Sequence, residues 1–348
     1  MNTIIMDMTD GINAKDMEKV GEVLKNGGLA AFPTETVYGL GANALDEEAA
    51  RKIYAAKGRP SDNPLIVHIA QMEDLYKIAE KVPEEAEKLA KAFWPGPLTM
   101  IFRKKDVVPY GTTGGLDTVA VRMPNHEIAL ELIRAGGGYI AAPSANASGR
   151  PSPTTAEHVR EDMDGRIDVI VDGGAVGIGV ESTIVDLSED VPMILRPGFI
   201  NQEMLEKVIG KVEMDPAVSG ADVKGTPKAP GMKYRHYAPR AQMVIVEGDR
   251  DKVIDYINGK IKEEKAKGNL AGVIASDETI GCYDGGIVKS MGTRTEELSI
   301  SRHLFGVLRE FDSCNVSIIF SESFYTPDLG AAIMNRLMKA AGHQIIRI

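Results

Sequence analysis

The chain has 348 residues, 43% hydrophobic and 26% charged, the balance of an ordinary globular protein with enough length for two domains. Its formal charge of −10 argues against a protein that coats nucleic acid through its phosphate backbone, yet leaves room for a local basic pocket. Two isolated cysteines exclude a disulfide framework or a zinc ribbon and fit a reducing, cytoplasmic home. The first ten residues have neither the basic nor the apolar region of a signal peptide, and no apolar run is long enough to span a membrane.

In chain order, Asp16 to Lys25 has helical periodicity and stops at Gly27-Gly28, and Leu29 to Phe32 reads as a buried strand. Asp46 caps a helix that runs to Lys57 and ends at Gly58-Arg59-Pro60. Strands are expected at 65–69, 98–102, 119–122, 139–142, 169–171, 183–187 and 193–195. Helices are expected at 84–92, 126–134 and 201–209. Consecutive strands without a helix between them near 183–195 predict a mixed sheet with flanking helices, an α+β arrangement, over residues 1–210. Residues 211–240 read as a linker rich in Gly, Pro and Lys, and 241–348 as a small α/β domain with a parallel sheet.

The chemistry gathers in loops that follow strands, where ligands of α/β proteins sit. Pro33 to Gly41 offers Thr34, Glu35 and Thr36 beside two glycines; a threonine-capped glycine turn is the plain alternative. Lys57 and Arg59, stiffened by Gly58 and Pro60, aim two cations at one place and suit a triphosphate or a departing pyrophosphate; a solvated basic turn is equally open. Ser144 and Asn146 lie in a small-residue loop that permits close backbone approach and offer hydrogen bonds to phosphate or base; a tight turn between strand and helix is equally open. Arg122 and Arg196 end apolar strands and fit carboxylate or phosphate clamps, or else snorkel from the sheet. His68, inside an apolar run, reads more readily as a core histidine than as a catalytic one. The linker holds Lys228, Lys233, Arg235 and Arg240 interleaved with Tyr234, His236 and Tyr237, a composition fit for a lid over a nucleotide, with a plain solvated linker as the alternative. No covalent nucleophile stands out, so the inventory suits nucleotidyl transfer by positioning and charge.

Together these loops resemble the Sua5/YrdC family of threonylcarbamoyl-AMP synthases. The resemblance rests on Phe32 to Leu40, Lys57-Gly58-Arg59-Pro60, Trp94-Pro95-Gly96-Pro97-Leu98-Thr99 and Ala142-Pro143-Ser144-Ala145-Asn146. Glu181 to Asp186, Leu195-Arg196-Pro197-Gly198, Ala229 to Pro239 and Asn335 to Ala341 extend it over essentially the whole chain, as in the two-domain branch. It implies a YrdC-like twisted mixed sheet and a smaller Rossmann-like C-terminal domain. Its implied reaction joins L-threonine and bicarbonate to the AMP of ATP, with Mg²⁺ carried on the ATP phosphates and no metal site in the protein. Thr34, His68, Arg122 and Ser182 would hold L-threonine. Lys57, Arg59, Asn63, Thr118, Ser144, Ser152, Arg196 and the linker's Tyr234 would hold ATP, with Lys57, Arg59, Ser144 and Asn146 the catalytic set. Asp62 stands where many relatives are expected to carry a neutral residue. The implied partner is a separate transferase that moves the threonylcarbamoyl group onto tRNA; any contact with tRNA itself would be weak. Carbamoyl transfer in hydrogenase maturation, an RNA-binding module and an ATP sensor are the competing readings. The first lacks its cysteine-rich motifs here, and the second sits badly with the net charge.

Overall fold

Local signals place the first helices. Asp46 Oδ1 accepts the amides of Glu48 and Ala49, starting the helix Glu47–Lys57, and Gly58 closes it in the left-handed region at φ 63°. Asn13 and Asn201 cap the helices Ala14–Lys25 and Gln202–Ile209 in the same way. This computed structural model describes residues 2–219, 227–230 and 236–348. Among them the chain divides into two compact units. The first comprises 2–148, 152–177, 181–219 and 227–230; the second comprises 149–151, 178–180 and 236–348.

The first unit is built on a sheet of β1 (Ile4–Asp7), β2 (Ala30–Phe32), β3 (Gly39–Asn43), β4 (Ile66–His68), β5 (Leu98–Arg103), β6 (Thr118–Arg122), β7 (Ile140–Ala141), β8 (Val169–Asp172), β9 (Thr183–Asp186), β10 (Met193–Arg196) and β11 (Glu213–Met214). Their order is β1-β8-β2-β3-β7-β4-β6-β5-β9-β10-β11. Pairing is mixed: β4 and β6 are parallel, β6 and β5 antiparallel, β5 and β9 parallel, β9 and β10 antiparallel. One face packs a large apolar cluster around Val67, Val121, Met100 and Val185. Alternation then turns Ile66, Ala120, Ile101 and Ile184 to the other face, where they form a smaller apolar floor covered in part by Ala229.

The second unit has a wholly parallel sheet of β12 (Gln242–Glu247), β13 (Ala271–Ala275), β14 (Ile287–Ser290), β15 (Ile318–Glu322) and β16 (Ile345–Arg347), in the order β14-β13-β15-β12-β16. Val244, Val246, Val273 and Phe320 bury one of its faces against Val253, Ile257 and Ile261 of the helix Arg250–Ala266.

Three expectations need correction. Gly39 to Gly41 is the start of β3 and not a loop. A Cβ at Gly41 would sit 2.9 Å from both Ile140 Cγ2 and Phe32 Cε1, so glycine lets neighbouring side chains cross the strand. The segment 211–240 contains β11 and a 3₁₀ turn at Pro216–Ser219, and Lys228 is pinned by Asp186 at 3.1 Å and Glu189 at 3.6 Å. Tyr237 is no lid residue: it is buried in the second unit with its ring 5.0 Å from that of Phe305. Tyr234, Lys233 and Arg235 lie outside the described residues.

Candidate active site

Strand register assembles the first cluster. His68 on β4 pairs with Arg122 on β6, and Arg122 pairs with Thr99 on β5. Leu98 pairs with Thr183, which brings Ser182, just before β9, to Thr99; their hydroxyl oxygens are 2.8 Å apart. Arg196, ending β10, donates from Nε to the Ser182 carbonyl at 3.0 Å and from Nη2 to its Oγ at 3.1 Å. By the same alternation His68, Thr99, Thr118 and Arg122 share the face of the small apolar floor.

Arg122 carries the main charge of this row. Its Nη2 donates to Glu35 Oε2 at 2.6 Å and its Nε to the Gly96 carbonyl at 3.3 Å; the paired side chains are only 5% and 13% exposed. Glu35 Oε1 also accepts the Asn125 amide at 3.1 Å. Burial, with the Arg122 cation second, pushes the His68 imidazole down to about 3. It is neutral at physiological pH, and its Nδ1 donates to the Ile66 carbonyl at 3.1 Å. Thr34 is likewise occupied locally: its Oγ1 donates to the Val37 carbonyl at 2.7 Å and accepts the Thr36 amide at 3.1 Å.

The second cluster is carried by loops. Lys57, the last residue of its helix, is buried and donates from Nζ to the carbonyls of Ser144 and Asn146. Its own carbonyl accepts the Ser148 amide at 2.9 Å, so the lysine closes the 144–148 loop from both ends. Ser144 Oγ donates to Asn146 Oδ1 at 2.5 Å, and Asp162 takes the Ala147 amide at 3.0 Å. Arg59 folds back onto the carbonyls of Asn63, at 3.3 Å, and Pro64, at 3.2 Å. Asn63 is buried, and its Oδ1 has no hydrogen-bond partner among the described residues. Such an acceptor costs free energy unless something donates to it. Ser152, fully buried, donates to Glu181 Oε1 at 2.5 Å.

The loop 33–39 borders both clusters. It presents Glu35 to Arg122, while the Tyr38 amide donates to the Pro153 carbonyl at 2.9 Å and the Tyr38 carbonyl accepts the Ala145 amide at 2.8 Å. The structure therefore joins Arg122 with His68, Ser182 with Arg196, Lys57 with Ser144 and Asn146, and Arg59 with Asn63. Thr118 stands half-buried at the start of β6, across from Arg103. Glu35, offered by the sequence as a ligand group, turns to Arg122 instead, and Thr99 and Glu181, to which the sequence gave no role, complete these contacts.

Residues 22–198 match the Sua5/YciO/YrdC family, described as telomere recombination, and residues 200–342 match the threonylcarbamoyl-AMP synthase C-terminal domain. The chain belongs to the Sua5/YciO/YrdC family. A relative from Pyrococcus abyssi named threonylcarbamoyl-AMP synthase is 54% identical, over 99% of this chain and 100% of its own length. A Bacillus subtilis relative of the same name is 49% identical over 98% of both chains. The crystal structure of P. abyssi Sua5 complexed with L-threonine superposes with a TM-score of 0.95 at 52% identity, covering 99% of this chain and 100% of the other. No helix among the described residues is long and apolar enough to cross a membrane.

Proposed function

We propose that this member of the Sua5/YciO/YrdC family is a threonylcarbamoyl-AMP synthase. L-Threonine, bicarbonate and ATP give threonylcarbamoyl-AMP, pyrophosphate and water. The observation that carries the reading is the buried row centred on Arg122, in a chain that matches relatives of that name from end to end.

The guanidinium of Arg122, braced by Glu35 and Gly96, takes the threonine carboxylate on its remaining donors. Ser182 meets the rest of the amino acid, with Arg196 and Thr99 fixing its orientation. Neutral His68 and the shaped Thr34 turn wall the pocket without adding charge. The threonine amine, once deprotonated, attacks bicarbonate and releases water, leaving an N-carboxylate. An oxygen of that group attacks the α-phosphate in line, and the bond to pyrophosphate breaks. Arg59, Ser144 and Asn146 border the path of the leaving group, with Thr118, Ser152 and Arg196 completing the nucleotide's surroundings. Asn63 Oδ1, the orphan acceptor, suits an N–H or O–H of the nucleoside and not its phosphates. Lys57 acts by holding the 144–146 loop. When Mg²⁺ travels on ATP it supplies positive charge to the departing phosphates. The threonylcarbamoyl group then passes, through a separate transferase, to adenosine in tRNA.

The test is pyrophosphate release from ATP, measured with each substrate omitted in turn. Release should need both L-threonine and bicarbonate and be lost in a folded Arg59→Ala variant. Release that ignores threonine would overturn the assignment.

A further inference from the structure

The second unit carries a crevice that its topology dictates. From β12 the chain passes through the helix Arg250–Ala266 to β13; from β15 it passes through the helix Gly330–Ala340 to β16. Strands β15 and β12 are neighbours, with β13 beyond one of them and β16 beyond the other. The two connections therefore leave adjacent parallel strands in opposite directions. That arrangement opens a crevice at the carboxyl ends of the strands, where open α/β sheets bind ligands. A cavity of about 310 Å³ lies at that place, lined by Val246 near the end of β12 and Gly248 just after it, by Glu322 and Ser323 at the end of β15, and by Arg250 and Arg294. Its volume is at the lower end of the range for small-molecule pockets, about 300–1,000 Å³.

The polar walls are already oriented. Buried Glu322 accepts Thr279 Oγ1 and, at 2.6 Å, the Tyr283 hydroxyl on Oε1; its Oε2 accepts Arg294 Nη2 at 2.6 Å. Arg294 Nε donates to Ser276 Oγ at 3.3 Å, and the guanidinium lies 4.7 Å from the Phe324 ring centre. Glu278 is spent on Thr293 Oγ1 at 2.6 Å and the Arg294 amide at 2.9 Å. Asp249 occupies the first-turn amides of the following helix. Both carboxylates are thus consumed by the protein's own donors. Among the described residues, Arg294 Nη1 makes no hydrogen bond, and exposed Arg250 makes one, to the Glu278 carbonyl at 3.1 Å.

Uncommitted guanidinium donors facing a crevice, with Glu322 holding one of them rigid, match an oxyanion rich in acceptors. We propose that this crevice binds the phosphate group of a small phosphate monoester, gripped by Arg250 and Arg294, at a site separate from that around Arg122. The ligand's remainder lies toward Val246 and Val253, which give the cavity its apolar side.

Methyl NMR on the full chain tests this, with inorganic phosphate, AMP and succinate as probes. Millimolar phosphate and AMP should shift the Val246 and Val253 methyl signals, and Arg250→Ala should weaken that response about tenfold. Arg250 is exposed, so its removal leaves the fold intact; Arg294→Gln, which strips a partner from buried Glu322, serves as a second variant and should weaken binding at least as much. The methyl of Ala145, inside the 144–146 loop that Lys57 holds, reports nucleotide binding in the first unit separately. Unmoved Val246 and Val253 signals, an undiminished response in folded Arg250→Ala, or a response to succinate without one to phosphate would each overturn the proposal.

Discussion

Arg122 and Lys57 are both buried cations in the first unit, but they are neutralised in opposite ways. Arg122 sits in strand register and faces a full carboxylate, Glu35, 87 residues away. Lys57 ends a helix and faces backbone carbonyls of a loop. An ion pair taken out of water is costly to break, because the surviving charge is stranded. Removing Lys57 releases the carbonyls of Ser144 and Asn146, which are neutral acceptors. The strand-borne row should therefore be the stiff part of the site, and the loop-borne cluster the adjustable part.

Arg122→Ala is the harshest way to probe the contrast. It strands Glu35 and should cost about 3–5 kcal/mol in chemical denaturation, while Arg122→Ala with Glu35→Gln together should recover a good part of that. Equal losses in single and double variants would remove the ion pair from the account. Lys57→Met comes next, at about 1–3 kcal/mol. Its signature is local: faster amide exchange over 144–148 with little change around Arg122. Uniform loss of protection in both regions would erase the distinction.

His68 sharpens the picture through pH. Its folded pKa is depressed to about 3 from 6.5, so the unfolded chain binds the proton first. Stability from this residue is intact above about pH 6.5 and falls by about 1.4 kcal/mol per unit as pH drops, levelling off below about 3. In a His68→Gln variant the slope of stability against pH between about 6 and 4 should shrink by that amount. A slope matching the parent would mean that His68 is protonated in the fold. Smallest is Asp46→Ala, which removes the cap of the helix that carries Lys57 and should cost about 1 kcal/mol.

Local rules made much of this fold readable. Asp46, Asn201 and Gly58 act within four residues of themselves, and the helices they bound lie where the sequence places them. Apolar runs gave the central strands for the same reason. Some misses have a cause that local pattern does not carry, while the helix Ala156–Met163 went unread in spite of its local cap at Thr155. Strand β3 begins with Gly39-Leu40-Gly41, a turn by composition, and is a strand because Phe32 and Ile140 press against Gly41. Strand β1 is short and at the sheet edge, with Ile4 and Ile5 exposed, so it lacks the buried alternation that marks a strand. The start of the helix Glu297–Phe311 is set from afar: Glu297 accepts Thr326 Oγ1 at 2.7 Å and the Leu329 amide at 2.5 Å, partners no local pattern announces. In the site, residue types were legible and pairings were not. Arg122 reads as an anion clamp in sequence, but only tertiary structure supplies Glu35.

The proposed reaction joins threonine, bicarbonate and AMP at one site. The most direct test is mass analysis of the products formed from ¹⁵N-threonine, ¹³C-bicarbonate and ATP. An AMP adduct that carries both labels should form in step with pyrophosphate. ATP turnover that yields AMP or ADP with no doubly labelled adduct would contradict it.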